Sequence, residues 1–408
     1  MLVRLAWRNL WRQKRRTLLT ASSIALALFL SLLMRSFQEG QYTSNIENNG
    51  KSGVGIIQLQ DPDFRDSESI DELLPSTEAF IHKARKIDNI DAILPRIHGF
   101  SLASVGSKSK GVLVNGIAPN KETDYTHLAD KLISGQYLHV EDTDILLAEG
   151  VAQYFNVSVG DEFVLYGQGY RGQTAAGVFT VKGILSFPMR ELNNSQVYLS
   201  LNQAQILFRT NQQVTSWVVS LHSLDAMAQT VEELQNAYPD VSVRDWMDLS
   251  PELEQSIVLD RVSGLIMMYL LYGIVGFGLF ATLLMMTLER QREFAVMLAT
   301  GLVRMKLLLM VFIESWFIGL FGVVIGASLA VPIIVYFYQN PIRLSGDLAL
   351  QMLEMGYEPI MPVSISPELV VSQIWIVAVM LLICLLYPMW RIVTLDIVSG
   401  LKGGAHAH

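Results

Sequence analysis

Four long apolar runs divide the chain: Thr17 to Met34, Val262 to Leu288, Leu307 to Tyr338 and Leu369 to Pro388. Each reaches or nears the roughly 18 to 20 residues that carry a helix across about 30 Å of hydrocarbon, so the pattern predicts four membrane spans. Ahead of the first run, Arg4, Arg8, Arg12 and Arg15 form one stripe of a helix while Trp7 and Trp11 lie on another side. That arrangement suits a segment lying among headgroups. The basic flank places the N-terminus in the cytoplasm, and the absence of a small-x-small site behind the run favours a retained anchor over a cleaved signal. Four spans then return the C-terminus to the same side, where Arg391 and Lys402 stand.

Between the first two spans the pattern changes to short alternating segments. Residues 53–60, 110–119, 216–222 and 241–246 read as strands, the second closing at Pro119, and 76–87 and 224–238 read as helices. Two strand-helix-strand halves therefore bracket an insertion with strand and turn signals and a glycine-rich loop at 167–177. The predicted division is an interfacial helix 1–16, a first span 17–40 and an external domain 41–260. Within that domain a mixed lobe (46–120 and 205–255) surrounds a β-rich insertion (125–200). The second span follows at 262–288, a charged segment at 289–301, and the third span at 302–338. An external connection at 339–367, with a short amphipathic helix from Asp347 to Met355, leads to the fourth span at 368–390 and a cytoplasmic tail at 391–408. The fold class is a four-helix membrane protein with a large extracytoplasmic α+β domain.

The charged segment is pinned between two spans on the cytoplasmic side. As a helix, Glu289 to Thr300 puts Phe294, Met297 and Leu298 on one face and turns Arg290, Arg292 and Glu293 away, while Gly301 permits the turn into the third span. Inside that span stands one carboxylate, Glu314, whose cost in lipid is reduced by its place two turns inside the cytoplasmic edge; facing the neighbouring helix or the charged segment in a packing role is expected ahead of a transport role. Gly319, Gly322 and Gly326 follow at near four-residue spacing, which lets another helix approach closely.

Charge sharpens the division. Residues 41–260 hold 29 acidic and 15 basic side chains of the chain's 38 and 30, so the acidity belongs to the external domain and nucleic acid is not an expected partner. The single cysteine, Cys384, lies in the last run, which leaves no intrachain disulfide. GKS at 50–52 lacks the upstream glycine of a phosphate loop, where Asn45 stands. His82, His98, His127, His139 and His222 have no metal-ligand spacing, and His406 and His408 lie on a tail without rigid geometry. No catalytic constellation and no metal site is expected, and the energy for any work must come from a partner.

ERQREFAVMLATGLVRMKLL (289–308) resembles the coupling segment of the ABC permease family that includes the lipoprotein-releasing, macrolide-exporter and cell-division permeases. RLAWRNLWRQKRRTLLT at the start, VNGIAPNKE, ILLAEGVAQYFNVSVGDEFVL and FTVKGILSF in the external domain, and Pro388, Arg391 and Asp396 near the end resemble the same family. The resemblance implies that Glu289, Arg290, Arg292, Glu293, Ala299 and Gly301 dock onto a cytoplasmic ATPase. It implies two ATPase subunits holding ATP and magnesium, with no cofactor in this chain, and a second permease subunit forming a homodimer or heterodimer in a bacterial inner membrane. ATP-driven motion would pass through the second and third spans to the external domains. Leu26, Leu30 and Leu33 of the first span and Met267, Met268, Leu271 and Phe280 of the second are candidates for an adaptable apolar cavity taking acyl chains. The leading reading is extraction of lipoproteins for delivery to the outer membrane through a periplasmic carrier. The alternatives are tripartite efflux with a fusion protein, and mechanical signalling to a periplasmic hydrolase or sensor.

Overall fold

The computed structural model describes residues 2–12, 14–67, 69–187, 189–354 and 359–396, with backbone alone at Leu2, Ser52, Gly53, Asp66 and Glu354. Met355, Lys402, His406 and His408 therefore lie outside the described residues. The chain separates into two compact units, one of residues 1–42, 257–342 and 361–408, the other of 43–256 and 343–360.

The first unit is helical. Helix α1 (Leu2–Arg12) precedes α2 (Lys14–Asn49), α3 (Pro251–Glu289), the short α4 (Gln291–Ala299), α5 (Arg304–Gln339) and α6 (Pro367–Val393). Helices α2, α3, α5 and α6 are each long and apolar enough to cross a membrane. The apolar runs mark only their middle parts: α2 continues nine residues beyond the expected end of the first span, and α3 begins eleven before the second. Polar helix formers carry both extensions, which hydropathy alone does not register.

Small residues let the spans approach. A Cβ on Gly322 would lie 2.6 Å from that of Ile24, and one on Gly326 would lie 2.7 Å from the carbonyl oxygen of Ala25, so α5 rests almost backbone to backbone on α2. Gly319 instead makes room for the Leu381 side chain of α6, whose Cδ1 a Cβ there would meet at 2.6 Å. Polar contacts accompany this packing: Tyr272 of α3 meets Ser31 of α2 at 2.7 Å and donates to Gln373 of α6 at 2.8 Å.

The second unit is built on one ten-stranded sheet. Its main strands are β1 (Ile57–Gln60), β2 (Ile90–Val105), β3 (Lys108–Ile117), β4 (Ile145–Ala148), β5 (Glu162–Gln168), β6 (Thr174–Leu185), β7 (Gln196–Ser200), β8 (Ser216–Leu221) and β9 (Ser242–Asp245). Their order is β9-β1-β8-β2-β3-β7-β4-β6, and β5 pairs with both β6 and β2. Six strands thus close a circuit, β2-β3-β7-β4-β6-β5, while β9, β1 and β8 extend the sheet from the first half of β2. The sixteen residues of β2 serve both parts, pairing through Ile90 to Arg96 with β8 and through Ser101 to Ser104 with β5.

Several local readings change. The segment 76–87 is helical only at Glu78–Ile81, then forms a 3₁₀ turn at Ala84–Lys86. Pro119 does not close a strand: β3 ends at Ile117, and Pro119 opens the helix Pro119–Thr126, as its fixed φ and missing donor allow at a first turn. The region 167–177 is mostly ladder, because β5 and β6 form a hairpin whose turn occupies only 169–173.

Candidate coupling site

At the end of α3 the backbone turns at Arg290 (φ −94°, ψ 6°), and α4 begins one residue later. The turn changes which residues α4 can offer. Phe294, Ala295 and Leu298 are buried against Ala6 of α1 and Leu307, Met310 and Val311 of α5. Arg290, expected on the outer face, is only 6% exposed, and Glu314 of α5 is 4% exposed.

The two groups meet. Arg290 Nη1 donates to Glu314 Oε2 at 2.5 Å, and Asn9 Nδ2 of α1 donates to Glu314 Oε1 at 2.7 Å. The Arg290 guanidinium also lies 5.1 Å from the ring centre of Phe294 and 3.4 Å from Glu293. The physical reason for the correction is desolvation: a carboxylate inside an apolar helix needs a charged partner, and Arg290 is the cation that the turn delivers. Glu314 therefore anchors the charged segment to α5 and α1.

Further out, Arg12 pairs with Glu293 and Arg16 with both oxygens of Glu289. Both arginines, of which Arg12 was assigned above to a headgroup stripe, hold the N-terminal part of the segment. Trp7 packs on Phe317 and Phe321 of α5, with ring centres 5.5 and 5.6 Å apart, while Ala6 and Leu10 form the buried face of α1. Arg304 Nη2 donates to the carbonyl of Leu395 at 3.0 Å and Nη1 to that of Val393, which ties the start of α5 to the end of α6.

Of the six residues assigned to coupling, Glu289, Arg292, Glu293, Ala299 and Gly301 are exposed and Arg290 is not. Among the described residues Arg292 has no ion-pair partner. Gly301 has a positive φ of 94°, which a side chain would strain. Sequence reasoning missed the contributions of Asn9, Arg12 and Arg16. The one available signal for Asn9 was an uncharged amide within an otherwise basic helix. Exposed Val296, Val303 and Met305 were missed as well, and they add an apolar component to the surface that α4 and the start of α5 present.

The seven residues proposed for an acyl cavity do not form one group. Leu26, Leu30 and Met267 face outward with 57%, 42% and 59% exposure, and Leu33, Leu271 and Phe280 are half-buried. Met268, in contrast, is buried in the core with Leu32 and Tyr272. A helix turns about 100° per residue, and here that step sets Met267 outward and Met268 inward.

Two family models cover most of the chain: a MacB-like periplasmic core domain matches residues 17–237, and an FtsX-like permease C-terminal region matches 265–397. The lipoprotein-releasing system transmembrane protein LolC of Neisseria meningitidis is 26% identical over 79% of this chain and 80% of its own length. LolC of Xylella fastidiosa is 24% identical over 70% and 71%. LolE of Haemophilus influenzae, from the same type of system, is 26% identical over 55% and 58%. With the periplasmic-core match spanning more than half of its length, the chain belongs to the family of ABC-transporter permeases that join a MacB-like periplasmic core to an FtsX-like permease region.

Proposed function

We propose that this chain is the permease subunit of an ATP-driven complex in a bacterial inner membrane, and that the complex extracts lipoproteins for delivery to the outer membrane. The observation that carries this reading is the similarity to LolC along four-fifths of both chains, through the external domain and the spans alike. The ATP and magnesium belong to two separate cytoplasmic ATPase subunits, which meet the exposed side of α4. A second permease subunit completes the complex, with both termini of this chain in the cytoplasm.

Tethering of α4 supports a mechanical role. A segment continuous with α3 and held to α1, α2 and α5 by Asn9, Arg12, Arg16, Arg290 and Glu314 passes a push from below into those helices instead of bending under it. Helices α2 and α3 contribute residues to both compact units, so their displacement reaches the external domain covalently. Release is driven by the different ATP affinities of the two states.

The test is native mass spectrometry of the complex purified in lipid without nucleotide. An acylated protein that co-purifies and leaves on addition of ATP is the expected result. A fusion protein or a cell-wall hydrolase in its place overturns lipoprotein release in favour of efflux or signalling. Absence of any ATPase subunit overturns the coupling role of α4.

A further inference from the structure

One face of the sheet in the external unit is polar and yet buried. Strand alternation places Gln58 and Gln60 of β1, Arg96 and His98 of β2, Asn115 of β3, and Gln196 and Tyr198 of β7 on the same side, as the pairings His98 with Asn115 and Asn115 with Tyr198 require. Arg96 is 1% exposed, Gln58 4%, Tyr198 6%, Gln196 7% and Asn115 8%. Over this face lies a cavity of about 430 Å³. That volume falls within the roughly 300 to 1,000 Å³ of small-molecule sites.

Most of the polar wall is internally satisfied. Arg96 donates to both oxygens of Glu122, so this pair presents no net charge. Asn115 donates to Gln196 at 2.5 Å, and Gln60 to Gln58 at 2.8 Å. His98 Nδ1 lies 2.8 Å from the Asn115 carboxamide oxygen, and the imidazole is held neutral, its pKa lowered to about 4 by burial and by the charge of Arg96. Three lining groups differ. With its Nδ1–H on the Asn115 oxygen, the neutral His98 ring leaves Nε2 as a buried acceptor without a hydrogen-bond partner among the described residues. Among the described residues the Tyr198 hydroxyl has no hydrogen-bond partner, and the Lys131 ammonium has no carboxylate within 4 Å. The ammonium lies 5.2 Å from the centre of the Phe187 ring, which in turn stacks on Tyr198 at 6.0 Å. Burial lowers the pKa of Lys131, so its charge gains from an incoming anion.

A hydroxyl donor and a cation that both neighbour the Phe187 ring call for a carboxylate. The carboxamides of Gln58, Gln60, Asn115 and Gln196 match the mixed donors and acceptors of peptide units, and Phe64, Phe100 and Leu113 supply an apolar wall. Glu191 and Lys51 also line the cavity and are oppositely charged. We propose that this cavity binds the free carboxyl end of a short peptide with an apolar terminal side chain, held by Lys131 and Tyr198. The site is independent of the coupling segment and of the substrate assigned above.

Isothermal titration of the full-length chain in lipid nanodiscs tests this with N-acetyl-Ala-Ala-Leu, its C-terminal amide and decanoate as probes. The acid is expected to bind saturably with a Kd of about 10 µM to 1 mM, and the amide at least about tenfold more weakly, in keeping with loss of a charge-assisted contact. Lys131→Met and Tyr198→Phe are each expected to weaken the acid by about five- to tenfold. Both variants should keep the wild-type unfolding midpoint. Equal binding of acid and amide overturns the assignment, as does indifference to both substitutions. Binding of decanoate in place of the peptide means that the cavity takes fatty acids. No saturable heat with the acid at about 5 mM means that it holds water only. None of these outcomes depends on co-purification of an acylated protein, so failure here and failure of the release reading are distinguishable.

Discussion

Truncation of Glu314 to alanine removes the one buried carboxylate that meets Arg290 among the described residues. The cost follows from three observations. Arg290 is 6% exposed, so its guanidinium cannot turn to water without breaking the packing of α4. Its contact to Glu314 is 2.5 Å, and the remaining carboxylate, Glu293, is 3.4 Å away and itself half-exposed. Asn9 loses its acceptor at the same time. Leaving one member of a buried ion pair unpaired costs about 3 to 5 kcal/mol, to which the orphaned amide adds about 1 kcal/mol. Contact with the Phe294 ring recovers part of this, so the net expectation is about 3 to 5 kcal/mol. Replacing both members, Arg290→Met with Glu314→Leu, leaves no buried charge and is expected within about 1 kcal/mol of wild type. Reversible unfolding in mixed micelles, followed by tryptophan fluorescence, measures both. If Glu314→Ala costs less than about 1 kcal/mol, or if the double variant loses the sum of the singles, the pair is not the anchor described above.

Three further outcomes are expected. Gly326→Leu forces a side chain against the Ala25 carbonyl, where a Cβ already meets it at 2.7 Å, and should cost about 1 to 3 kcal/mol in the same unfolding assay; an unchanged midpoint would show that α5 and α2 do not touch there. Arg12→Ala breaks an ion pair whose side chains are 59% and 44% exposed, so it should cost under about 1 kcal/mol, and a larger loss would mean that the pair is shielded from solvent. His98 has a folded pKa of about 4 against about 6.5 unfolded, so the unfolded chain binds the proton first as pH falls. The stability of the external unit should therefore decline by roughly 3 kcal/mol between pH 6.5 and 4 relative to His98→Gln, as followed by thermal unfolding across that range; parallel pH curves for the two proteins would refute a neutral buried imidazole.

The spans were legible because each apolar run is as long as a bilayer is thick, and no other structure tolerates that pattern. The anchoring of the charged segment was not. Asn9 and Glu314 are 305 positions apart, and helical periodicity says nothing of a helix that stops at Arg290 and restarts with a new phase. The helical reading of Glu289 to Thr300 sets Arg290 among the outward residues, although four positions at about 100° each bring it within about 40° of Phe294 and onto the apolar face. In the external domain, alternation located strands such as Ser216–Leu221 but not their partners. Closure of the six-stranded circuit depends on β2 changing partners midway, and between Ile97 and Phe100 the local sign of it is Gly99, a strand-interior glycine that does not name the new partner. The buried polar face has the same origin: Gln58-Leu59-Gln60 and Gln196-Val197-Tyr198 alternate as half-exposed strands would, and only the elements that cover them make their polar side interior.

How the helices keep their register bears on the lever role proposed above for the α4 segment. Between spans in lipid there is no hydrophobic drive, so alignment rests on close packing and polar contacts. Along α2 and α3 these contacts occur at Arg16 with Glu289, Ser31 with Tyr272, and Tyr42 with Asp260, and each step outward along α2 is matched by a nearly equal step back along α3. A Cβ at Gly264 would strike the Gln38 side chain, which continues the same register. From Arg16 to Tyr42 the pair therefore runs side by side for about 39 Å, longer than the hydrocarbon core is thick. Fixed at both ends and in the middle, the two helices have no sliding freedom that preserves their polar contacts. A displacement imposed at Glu289 must then appear at Asp260 with little loss, or break the Ser31–Tyr272 contact on the way.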